Sequence, residues 1–180
     1  MLTSFFNRRS TGGASSSASN DDHDVEDILA LIKAEHRHSM TLLPLLLKQA
    51  DEIEQAGEVD YELIHELLAF FSGPMNKAHH AKEDQVYGWM RKNVPSQAAG
   101  LHDVEDIHKA FTLQLSQLRQ QVEAILLDQD VPRDRVAAAL KDFAEREINH
   151  IRAEEAGFLP MADLLMPMDV RRDMSRKHHH

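Results

Sequence analysis

The sequence predicts an all-α fold, an up-down-up-down four-helix bundle, on three observations. Apolar residues recur at intervals of three and four, the helical period, through four long segments. Those segments are joined by short runs carrying Gly, Pro and Asp, the residues that end helices and make turns. Only 7 Gly and 6 Pro occur in 180 residues, too few for a turn-rich β fold. A chain of this length suits one domain and buries roughly 70% of its unfolded surface.

The first helix is predicted from about Asp24 to Gln49, with Leu29, Ile32, Met40, Leu43 and Leu47 on one face; Pro44 falls inside it and should kink it or shift its register. Gly57 and Glu58 lie in the turn, and Asp60 is the natural N-cap of a second helix, about Tyr61 to Lys92. Its stripe is Ile64, Leu68, Phe71, Met75, Val86 and Met90, with a bend at Gly73-Pro74. Pro95, Ser96 and Gly100 mark the next loop. The third helix, about Leu101 to Asp128, carries Leu101, Leu115, Leu118, Val122 and Ile125. Asp130 and Pro132 supply a cap and first turn for the fourth, about Arg133 to Leu165, with Val136, Leu140, Phe143, Phe158 and Met161 inward.

Composition excludes several functions. Twenty Lys+Arg against 30 Asp+Glu leave a net charge of −10, and no basic stripe offers a nucleic-acid surface. The absence of cysteine removes disulfides, thiolate metal sites and a Cys nucleophile. The longest apolar run, Leu42 to Leu47, is far short of the ~20 residues a spanning helix needs, so no membrane partner is expected and the cytoplasm is the default location. Residues 1–22, rich in Gly and Ser, read as a disordered arm, 23–168 as the bundle, and 169–180 as a tail. His178, His179 and His180 look like the stub of a purification tag. The bundle is expected as a monomer or weak homo-oligomer.

The unusual number is 12 histidines. Each apolar stripe has a gap, and a metal-binding residue type fills it. His79 and Glu83 continue the stripe of the second helix, and His150 and Glu154 that of the fourth. His108 lies seven residues before Leu115, and His36 sits between Ile32 and Met40. His36 to His79 spans 43 residues and His108 to His150 spans 42, so two helix pairs repeat at an offset of 71 or 72. Tyr87 then matches Phe158, and Met90 matches Met161.

His and Glu at i and i+4 lie about 40° apart on a helix, so both reach one point. Two such pairs plus one His from each remaining helix supply four neutral nitrogens and two carboxylates. Glu83 and Glu154 can bridge two cations, and His36, His79, His108 and His150 then give each cation two imidazoles. With a bridging oxo or hydroxo group each ion has five ligands, which leaves a position for O2, NO or peroxide. This donor set suits two Fe ions, with Mn or Zn as substitutes. Left unpaired, six buried polar groups would cost roughly 6–18 kcal/mol against a net stability of about 5–15 kcal/mol.

The chain resembles hemerythrin-like proteins of the histidine–histidine–glutamate (HHE) cation-binding group. The residues that carry the resemblance are Glu35-His36-Arg37, His79-His80-Ala81-Lys82-Glu83-Asp84, Ile107-His108-Lys109 and His150-Ile151-Arg152-Ala153-Glu154-Glu155, followed by Phe158-Leu159-Pro160. The resemblance spans about residues 24–165. It implies a four-helix bundle around a non-haem di-iron centre that binds or senses O2 or NO. It implies equally an enzyme turning over peroxide or NO, or an iron donor in iron–sulfur repair; metal storage is a third class.

Oxygen carriers of this kind have a second His four residues on in the third helix, where this chain has Thr112, so no fifth His ligand is offered. Glu147, on the stripe three residues before His150, stands where the resemblance implies an apolar residue. It reads as a third carboxylate ligand, a proton shuttle or a partner to a ligand His, against a helix-edge acid reaching solvent. Tyr87 is either a pocket residue near the metals or a core aromatic. His38 lies about 160° around the helix from His36, so only one of them faces the site, and the motif favours His36. His80 is read as flanking the site or exposed, His65 and His102 as exposed, His23 as part of the arm, Trp89 as packing, and Asp84 and Glu155 as solvated charge.

Overall fold

The structure, a computed structural model, describes residues 27–99, 101 and 104–178. The expected N-terminal arm, His23, His102, His179 and His180 lie outside the described residues. Among the described residues there is no strand. The helices are α1 (Ile28–Glu54), α2 (Tyr61–Ser72), α3 (Pro74–Asn93), the single turn α4 (Pro95–Ala98), α5 (Val104–Leu126), α6 (Arg133–Ala153), a π-helical turn (Glu154–Phe158), α7 (Leu159–Leu165) and α8 (Met168–Arg176). The bundle is built from α1, the α2–α3 pair, α5, and the run from α6 through α7, with α1 packed along α6 and α2 along α5. No helix among the described residues is long and apolar enough to cross a membrane.

Local chemistry sets most boundaries. Asp27 caps α1 by accepting from Leu29 N at 2.7 Å, and Asp60 caps α2 through Leu63 N at 2.9 Å, satisfying donors that a helix start leaves open. Pro44 sits inside α1, which continues as helix to Glu54. Asp130 does not cap the fourth segment: Pro132 holds the N-cap position with no side-chain bond.

The second predicted helix is two. Pro74 has no N–H to donate, so α2 stops at Ser72 and α3 restarts with Pro74 as its first residue. The restart shifts the inward position in its first turn by one residue. Met75, expected in the core, is 69% exposed and Asn76 is buried in its place, while His79 and Glu83 are buried as their stripe predicts. Gly73 is required at the break because a Cβ there would lie 2.8 Å from Ala69 O. Gly73→Ala is therefore expected to cost about 1–3 kcal/mol, seen as a lower urea midpoint at unchanged m-value.

The fourth segment carries a comparable adjustment. Positions four apart advance about 40° per step, so His150, Glu154, Phe158 and Ala162 would drift off one face. The wide turn, closed by Leu159 N–H donating to Glu154 O, absorbs that drift and leaves Glu154, Phe158, Leu159 and Ala162 all buried. Such turns recur at functional sites.

Beyond residue 168, where the sequence predicts a tail, the chain forms α8 against α1. Its buried face is Arg171, Met174 and Ser175. Arg171 pairs with Asp163 and, at 3.8 Å, with Asp27. A stripe carried by Arg and Ser is invisible to a search for apolar periodicity.

The core divides in two. One cluster includes Leu43, Leu46, Ile64, Phe71, Phe111, Leu118, Val136 and Phe143. The other includes Ile28, Ile32, Val86, Met90, Phe158, Leu159 and Ala162. In three of the bundle's four helical segments the switch from one to the other falls at a His or Glu: at His36, at His79 and Glu83, and at His150 and Glu154, with His108 at the same level on α5.

Candidate metal centre

Four helical segments bring six polar side chains into that layer. Relative exposure is 1% for His36, 6% for His79, 0% for Glu83, 5% for His108 and 4% for Glu154, and the His150 side chain is 9% exposed. Glu83 is the hub. Its Oε1 lies 2.9 Å from Nε2 of both His36 and His79, and its Oε2 lies 3.2 Å from His108 Nε2. Glu154 spans the opposite side, with Oε2 3.3 Å from His36 Nε2 and Oε1 3.5 Å from His150 Nε2. Two overlapping groups result: His36, His79 and Glu83, and Glu83, His108, His150 and Glu154, each with ligand atoms within 4.8 Å of one another.

These residues fit a metal better than they fit one another. Glu83 Oε2 and both Glu154 oxygens are buried with only these 3.2–3.5 Å imidazole contacts and no well-formed hydrogen bond, although an unsatisfied group ordinarily costs about 1–3 kcal/mol. The Nε2 atoms of His108 and His150 face each other at 3.3 Å, where one proton at most can serve both. Cations between these atoms would use every lone pair that hydrogen bonding leaves idle.

The electrostatics follow from the same crowding. Burial disfavours charge on His36, yet the carboxylates of Glu154 and Glu83 lift it to about 10. His79 is likewise lifted against burial to about 9, by Glu83 and Glu35. Burial and the neighbouring Glu83 push Glu154 up to about 8. Burial, reinforced by His108, lowers His150 to about 4. Without a cation the layer balances its charge with shared protons, which a bound cation replaces.

An outer ring holds the imidazoles by their Nδ1 atoms. Glu155 Oε1 lies 3.0 Å from His36 Nδ1, Asp84 Oδ1 3.1 Å from His108 Nδ1, and Glu35 Oε2 2.9 Å from His79 Nδ1. Lys82, buried at 6% exposure, donates to Glu35 Oε1 at 2.6 Å. Sequence reasoning missed these four roles and read Asp84 and Glu155 as solvated charge. The available signal was the repeat, which sets Asp84 and Glu155 in register 71 residues apart, each directly after a candidate bridge.

The remaining candidates sort by position. Glu147 is 3% exposed and its Oε2 has no partner, which removes the solvent-reaching reading; burial, then the nearby Glu83 carboxylate, raises it to about 7. Tyr87 is a core aromatic, edge-on to Phe158 at 6.3 Å, with its hydroxyl donating to Leu101 O at 3.5 Å. His80 stacks on His108 with ring centres 3.9 Å apart. His38 is exposed and edges Phe70 at 5.2 Å, and His65 is half-buried beside Glu123. Thr112, in place of a fifth His, donates back to His108 O at 2.9 Å.

A cavity of about 550 Å3, walled by Leu101, Ile107, Phe111, Gly157 and Phe158 among others, reaches His150 and Glu154. A Cβ at Gly157 would meet nothing within 4 Å, so that wall is open.

Comparison with known proteins adds one match. The family profile described as "Hemerythrin HHE cation binding domain" matches residues 27–162. No curated protein and no solved structure matches significantly.

Proposed function

The chain belongs to the hemerythrin HHE cation-binding domain family, and from that premise we propose that it is a non-haem di-iron protein that binds or senses O2 or NO. His36, His79, His108 and His150 would be the terminal ligands and Glu83 and Glu154 the bridges. The observation that carries this reading is the buried layer of four imidazoles and two carboxylates with three idle carboxylate oxygens. Bound iron would supply reducing electrons and an open coordination position; manganese or zinc suit the same donors.

The protein's own part is to hold and to screen. Glu155, Glu35 and Asp84 fix the rings of His36, His79 and His108 by their Nδ1 atoms, so that each Nε2 points into the layer. The two apolar clusters above and below exclude water, and the cavity beside His150 admits a small ligand.

The test is iron per chain, with the optical spectrum of the reduced protein before and after exposure to air. Two irons and a new charge-transfer band that reverses under vacuum are expected. No iron would remove the redox reading. A centre saturated by protein ligands, as in storage, would leave azide without effect on the spectrum.

A second reading, turnover of peroxide or NO at the same centre, is favoured by one observation. Glu147 is a buried carboxyl beside the layer with an unpartnered Oε2, and an acid held there can deliver a proton. Under that reading Glu147→Leu lengthens the life of the air-induced band about tenfold or more, with iron content unchanged. An unchanged lifetime leaves the binding reading alone.

A further inference from the structure

The internal repeat sets up a comparison between the two halves of the centre. The offset of 71 or 72 carries Asp84 onto Glu155 and His36 onto His108. The structure obeys it: each acid that follows a candidate bridge reaches the Nδ1 of the lone histidine, Asp84 to His108 at 3.1 Å and Glu155 to His36 at 3.0 Å.

The other pair of histidines breaks the symmetry. His79 is held at Nδ1 by Glu35 at 2.9 Å, and Glu35 is held by the buried ammonium of Lys82 at 2.6 Å. The same offset carries Glu35 onto Ile107, Lys82 onto Ala153 and His79 onto His150. Neither isoleucine nor alanine can hydrogen-bond through its side chain. Among the described residues His150 Nδ1 has no hydrogen-bond partner, and Ile107 and Ala153 instead line the cavity that reaches His150. One half therefore has both imidazoles fixed from behind; the other has one.

We infer that the two halves hold their metal ions unequally, with Glu35 and Lys82 as positioning residues that make the His36/His79 half the tighter one. The inference rests on the two-ion reading of the centre. A carboxylate on Nδ1–H fixes the tautomer, directs the Nε2 lone pair at the metal, stops the ring from turning and strengthens it as a donor. Lys82 keeps Glu35, a third exposed, from swinging into water. Among the described residues His150 has none of this support, so its half releases its ion first, and it is also the half that the cavity approaches.

The experiment loads the full chain with cobalt(II) and follows release to an excess of chelator. The wild type is expected to lose two ions in two phases of equal amplitude. Glu35→Ile with Lys82→Ala copies the Ile107/Ala153 half and is expected to speed the slow phase by ~10–100-fold, the usual loss when such a partner is removed, while leaving the fast phase where it was. The transplant in the other direction, Ile107→Glu with Ala153→Lys, is expected to slow the fast phase. It also keeps the test decisive if the first variant fails to fold.

Two ions leaving in a single phase would overturn the inequality alone. So would a Glu35/Lys82 variant that accelerates both phases alike, the result of general loosening of the bundle. A wild type that takes up no cobalt would overturn the metal reading beneath it.

Discussion

Stripped of metal by chelation, the protein is expected to melt about 5–15 °C lower. A ligand that binds only the folded state at 100 to 1,000 times its Kd contributes about 2.7–4.1 kcal/mol, and each kcal/mol moves the midpoint of a domain this size by about 2–4 °C. The effect should be large because the layer is poorly satisfied on its own. Glu83 Oε2 and both Glu154 oxygens lack a well-formed hydrogen bond, and they lie between two apolar clusters that offer none. The loss is not larger because His36 and His79, lifted to about 10 and about 9 by the carboxylates beside them, carry protons that neutralise part of the acid charge. Calorimetry with metal content measured on the same samples is the check. An unchanged melting curve after confirmed loss of metal would remove the six residues as ligands.

Glu83→Leu is expected to reduce the metal content from two ions per chain to none. Glu83 is fully buried and the only residue shared by both candidate groups, so its removal takes a ligand from each ion at once. Its two oxygens also gather His36, His79 and His108. Without them, His36 and His79 lose a carboxylate that raises both and face an apolar side chain. Metal analysis of purified protein decides it, with Glu147→Leu as the control that keeps both ions. Retention of two ions by the Glu83 variant would mean that this carboxylate bridges nothing.

Much of the site was legible because its chemistry is local. His79 and Glu83, like His150 and Glu154, are neighbours on one helix face whatever the rest of the chain does, since spacing by four fixes their relative direction. The gaps they leave in the apolar stripes marked the layer, and the structure brings those four together with His36 and His108. The angle between His36 and His38 showed that only one of them could face inward, the family motif chose His36, and His38 is exposed.

Other assignments failed where the helix itself was interrupted. Met75 was projected inward along an unbroken second helix, but Pro74 begins a new one and turns Met75 out. α8 was overlooked because its buried face is Arg171, Met174 and Ser175, a helical stripe written partly in polar residues. Asp130 looked like a cap, but α6 begins at Arg133 and Pro132 holds the N-cap position.

The sequence by itself determined the long helical segments of the bundle, a bend at Gly73-Pro74, the two-fold repeat and the six polar residues of the layer, because each depends on angles within one stretch of backbone. Only the tertiary structure decided the outer ring, in which Glu35 reaches His79, Asp84 reaches His108 and Glu155 reaches His36 across helix boundaries. It alone decided that Glu147 is sealed from water and that, among the described residues, His150 is the layer's imidazole with no partner at Nδ1. The physical reason is that contacts between helices depend on their axial register and rotation. Those are set by the packing of the two apolar clusters and by the π-helical turn, and no residue spacing along the chain encodes them.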